Sequence, residues 1–213
     1  MIEKEKKIYR NLILLTIGAG FYILSSLDFL GKIYPLPTDL TYLSVFAFIT
    51  IVLFIIASIS LRRMDKSFSN TLIYSVAFLI GFIAVFVLLF FPDNDICVAI
   101  TEGLNFTITV FFFFAVFFAL WEIRKYLQLQ GAQKVLKKGF FITIGVLQIA
   151  TFVFETILDL DFLLTNYFFT ISVVYLNRGI FLALSIIVFM GFTESLIEFK
   201  SLKKEGELNE KQI

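Results

Sequence analysis

Gln148, Thr151, Glu155 and Asp159 follow one another at steps of 3, 4 and 4 residues, which places them on one face of a helix. Thr101, Asn105 and Thr109 recur at steps of four in an earlier apolar segment, with Glu102 beside them. Arg178 stands in a third apolar stretch at a matching height, and Glu155 is the carboxylate expected to pair with it. Thr101, Glu102, Asn105, Gln148, Thr151, Glu155, Asp159 and Arg178 therefore form a candidate outward-facing polar vestibule, acidic at its rim, with Arg178–Glu155 as its floor. The plainer reading of the same residues is interhelical hydrogen bonding that holds three helices together.

A second constellation lies between Glu122 and Lys138, where Arg124, Lys125, Lys134, Lys137 and Lys138 gather five of the chain's 18 basic residues. As an amphipathic basic segment it is expected to face anionic lipid headgroups on one leaflet, with Ile123, Leu127, Val135 and Leu136 turned toward lipid. A plain extension of the two flanking helices explains it as well.

Catalytic chemistry finds little material. Histidine is absent and Cys97 is alone, which removes the commonest general base and metal ligand, any internal disulfide and any thiolate cluster. There is no phosphate-binding glycine loop, no Ser/His/Asp set and no metal-ligand spacing. No cofactor, metal or nucleic acid is expected, and an enzyme is the hardest class to build. Asn105-Phe106-Thr107 matches the glycosylation triplet but falls inside an apolar segment, where that modification does not reach.

The elements that must position these residues are apolar. Hydrophobic residues make up 59% of the 213 and charged residues 16%, against about 45–50% and about 25% in soluble domains. The mean hydropathy is +0.93. Runs of about 20 apolar residues suffice to cross a bilayer, and six are expected here: 11–30, 41–61, 71–91, 103–121, 139–158 and 171–193. Residues 1–200 then form one polytopic domain and 201–213 a charged tail. Pro35 and Pro37, Arg62-Arg63, and Pro92-Asp93-Asn94-Asp95 punctuate the runs. Residues 162–170 read as an interfacial or re-entrant lead-in to the sixth. On that arrangement sixteen of the 18 basic residues fall on one side, which places both termini inside.

The fold class expected is thus an all-α integral membrane protein of six transmembrane helices. Leu27-Asp28-Phe29-Leu30 recurs as Leu160-Asp161-Phe162-Leu163, and Leu120-Trp121-Glu122-Ile123-Arg124 resembles Leu196-Ile197-Glu198-Phe199-Lys200; both repeats fit three parallel helical hairpins. The expected role is a non-enzymatic membrane component in a prokaryotic plasma membrane, an assembly partner or ligand-sensing module. The alternative is a small-solute transporter or channel using the vestibule. The partners expected are the bilayer and a second protein or a second copy of the chain.

Overall fold

A computed structural model describes the backbone over residues 2–26, 40–88, 95–132, 136–161 and 167–210, and most side chains within them. Six long helices account for nearly all of this: α1 Ile2–Ser26, α2 Leu40–Met64, α3 Ser69–Leu88, α4 Asp95–Leu129, α5 Lys138–Asp161 and α6 Tyr167–Glu210. A single 3-10 turn, Lys66–Phe68, joins α2 to α3. Asn177-Arg178-Gly179 sits inside α6 without interrupting it.

Apolar residues spaced 3 and 4 apart explain the packing. On α1, Ile8, Leu12, Leu15 and Ala19 are all buried, a seam along one face. On α4 the seam is Phe113, Val116, Leu120, Ile123 and Leu127, and on α6 it includes Leu184, Val188 and Phe192. These seams, with Phe54, Ala57 and Leu61 of α2 and Phe141 and Ile144 of α5, make one continuous core. A smaller cluster of Ile51, Phe78 and Ile108 joins α2, α3 and α4.

Consecutive helices run antiparallel, and cross-helix polar contacts fix their register. The Asn11 amide donates to Ser60 Oγ at 2.8 Å, and Thr50 Oγ1 donates to the Gly18 carbonyl at 3.1 Å, both between α1 and α2. Tyr9 of α1 stacks on Phe199 of α6, and Tyr22 meets Phe181 edge-on, so the first and last helices also lie antiparallel and close the bundle.

Six membrane-crossing helices are not what the structure supports. Among the described residues two stretches, Glu5–Ser26 and Leu176–Leu202, are long and apolar enough to cross a membrane by length and composition. Ser69–Val85 and Lys138–Phe154 are shorter apolar stretches among the described residues. Many of the apolar residues that suggested lipid face other helices in the packed core. The multi-pass fold, the bilayer and its headgroups as partners, the plasma-membrane location with both termini inside, and the membrane-component and transporter roles all depended on six spans and are corrected with them.

The bundle also leaves aliphatic side chains uncovered. Ile73, Val76, Ile80, Ile83 and Val87 form an exposed stripe along α3, and Ile142, Val146, Ile149 and Val153 form another along α5. Contiguous apolar stripes of this kind are uncommon on free protein surfaces.

Candidate functional site

Two polar arrangements stand out at the end of the bundle where α4 stops and α5 begins. The first is built on Glu122. α3 starts at Ser69 without an acidic residue in its first turn, and its free N–H groups need an acceptor. Glu122, buried on the flank of α4, supplies it: Asn70 N donates to Oε1 at 3.0 Å, Thr71 N donates to Oε2 at 3.3 Å, and the Thr71 hydroxyl donates to Oε2. Burial outweighs these donors and the nearby Lys125 charge, and holds the Glu122 carboxyl above its ordinary value of 4.5. Tyr126, one turn on, is pushed up by burial and by the charges of Glu5 and Asp65.

The second arrangement is a cleft of about 900 Å³, partly open to solvent, between the end of α4, the segment before α5, and α6. Its shape follows from how α4 ends. Gly131 adopts φ +85°, a left-handed conformation that residues with a side chain resist. Ala132 N donates to the Leu127 carbonyl at 3.0 Å and Gly131 N to the Gln128 carbonyl at 3.1 Å, which closes a Schellman motif and turns the chain back. Leu136 and Lys137, later in the chain than this turn, line the cleft with residues of α6.

Arg124 and Lys137 stand on the α4 side of this cleft and Glu194 and Glu198 on α6, with Leu127, Leu136 and Phe140 also lining it. The Arg124 guanidinium carbon lies 5.3 Å from the Trp121 ring centre and 5.5 Å from that of Phe141. Trp121 is itself edge-on to Phe141 at 5.1 Å and stacked on Phe117. Two aromatic faces therefore hold the arginine in place by cation–π attraction. Its Nε is buried and has no hydrogen-bond partner among the described residues.

Of the basic residues singled out in the sequence, Arg124 and Lys137 line the cleft, and Lys125 places its ammonium 5.7 Å from the Trp121 ring. Lys138 is exposed at the start of α5, and Lys134 lies outside the described residues. Of the expected lipid-facing residues Ile123, Leu127 and Leu136 turn inward and are buried in the main core, and Val135 lies outside the described residues. Residues 122–129 are simply the end of α4, not a separate surface helix.

The vestibule residues sit on α4, α5 and α6, toward the other end of the bundle. Gln148 bridges α5 to α4, its amide donating to the Phe113 carbonyl at 3.3 Å, and buried Thr151 donates to Leu147 within its own helix. Arg178 is half-buried on α6. Thr101, Glu102, Asn105, Glu155 and Asp159 lie on helical backbone, but their side chains are outside the described residues, as is the Arg178–Glu155 pairing.

The sequence reading took Glu122 only as the start of the basic segment 122–138 and missed its buried role. The available signal was its position between Trp121 and Ile123, flanked by the inward-facing period of Ala119, Leu120 and Ile123. No family model matches the chain, and neither a curated protein nor a solved structure matches it.

Proposed function

We propose that this protein is a non-enzymatic binding module that takes a small amphiphilic ligand in the cleft between α4, α5 and α6. The observation that carries the reading is Arg124: a guanidinium fixed against two aromatic rings at a cleft of about 900 Å³, with its Nε lacking a hydrogen-bond partner among the described residues. A cleft of this size is in the range used for small molecules, where an apolar lining supplies contact area and a few convergent charges fix orientation. A carboxylate or phosphate is the natural partner of a positioned arginine, because charge-assisted hydrogen bonds are the strong ones. Leu127, Leu136 and Phe140 offer the apolar surface for the rest of such a molecule.

The test is thermal unfolding with hexanoate and hexyl phosphate as probes. Both are expected to raise the melting temperature of the wild type, and Arg124→Met, which keeps an apolar stem, is expected to lose most of that rise. Absence of any shift with either probe would rule the reading out.

A further inference from the structure

α5 starts at Lys138, straight after Lys137, and has no acidic residue in its first turn. The first N–H groups of a helix have no partner within it, and the positive end of the helix dipole lies there. A hydroxyl or carboxylate is the favoured side chain at such a place. Two lysines stand there instead, adding to the dipole's charge, and an anion would relieve both. Lys137 and Gly139 line the cleft. A Cβ at Gly139 would meet nothing within 4 Å, so the backbone is open at that point.

Arg124 is an observation independent of the helix start. It lines the same cleft from α4, with its guanidinium carbon 5.5 Å from the ring centre of Phe141, in the first turn of α5. Its buried Nε has no hydrogen-bond partner among the described residues. Guanidinium, ammonium and helix N–H groups thus gather at the start of α5. Glu194 and Glu198 line the cleft from α6; the first is exposed, and the second has an interaction of its own. Neither offers a donor to an anion, which places the charged group of a ligand at α5.

Resting on the binding reading above, we infer that this charged group is a phosphate monoester rather than a carboxylate. Arg124, Lys137 and the Gly139 N–H hold it at the start of α5, and its alkyl chain follows the apolar lining. A carboxylate brings two oxygens and one charge. The phosphoryl group of a monoester brings three acceptor oxygens and close to two charges at neutral pH, enough to serve all three donors. No bond is made or broken.

Calorimetric titration of the full chain with hexyl phosphate, hexanoate and inorganic phosphate tests this. Hexyl phosphate is expected to bind about tenfold tighter than hexanoate, the worth of one further hydrogen bond to a charged group. It is also expected to bind tighter than inorganic phosphate, which lacks the chain. Gly139→Ala sets a methyl over the open backbone without a clash. It is expected to erase most of that preference while the melting temperature holds or rises, because alanine favours a helix over glycine. Lys137→Met, at an exposed residue, is expected to narrow the same preference. Equal affinity for hexyl phosphate and hexanoate overturns the phosphate and leaves the binding reading standing. A preference untouched by Gly139→Ala overturns its placement at α5. Inorganic phosphate binding as tightly as hexyl phosphate overturns the monoester in favour of the bare ion. Failure of hexyl phosphate and hexanoate alike overturns both readings.

Discussion

Glu122 shows how much one side chain can do for a fold. It gathers two backbone N–H groups and a hydroxyl from the start of another helix, and removing it strands the N–H and hydroxyl of buried Thr71. Glu122→Ala is therefore expected to cost about 2–3 kcal/mol, measured by denaturant unfolding. Its pH dependence has a definite sign. Because burial holds the folded carboxyl above 4.5, the fold favours its neutral form. That contribution is complete below the unfolded pKa and is lost as pH rises through the raised folded value. The stability advantage of wild type over Glu122→Gln is expected to shrink as pH climbs from about 4 toward neutrality; an advantage that grows instead would show that the carboxylate's donors dominate. The charge at position 122 was plain in the sequence. Its acceptor role was not, because Asn70 and Thr71 are some 50 residues away and only the α3–α4 packing brings them together.

At the scale of elements, the seams of α1, α4 and α6 were legible, since 3- and 4-residue spacing is a local property of the chain. Helix ends were less so. Runs that looked like spans of about 20 residues extend to 35 in α4 and 44 in α6, because charged residues such as Arg124 and Glu198 continue a helix as readily as apolar ones do. The stop of α4 depends on Gly131. Gly131→Ala is expected to cost about 1–2 kcal/mol through the left-handed backbone and to weaken probe binding in the cleft, since Leu136 and Lys137 follow that turn. Close approach of α5 and α6 makes a second prediction. A Cβ at Gly191 would stand 2.6 Å from Phe140 Cζ and 3.2 Å from Leu120, so Gly191→Ala is expected to destabilise by about 1–3 kcal/mol. Phe140→Leu in the same chain is expected to recover part of that loss, and a double-mutant cycle reads the coupling.

For the molecule as a whole, composition was the strongest signal and the most misleading. It counts apolar residues without saying what they face, and a large share of them face neighbouring helices. Others are exposed, among them the uncovered stripes of α3 and α5. These are expected to make the isolated chain self-associate in plain buffer, as light scattering would show, and Ile80→Lys with Ile83→Lys is expected to reduce that association. The cleft could not be read from sequence because its walls come from three separated segments, around residues 124–127, 136–140 and 194–198. That dispersal has a thermodynamic consequence. An unfolded chain does not hold the three segments together, so any occupant binds the native state alone and lends its free energy to every helix. At a hundredfold excess over the dissociation constant this amounts to about 2.7 kcal/mol, enough to make survival against proteases follow ligand supply.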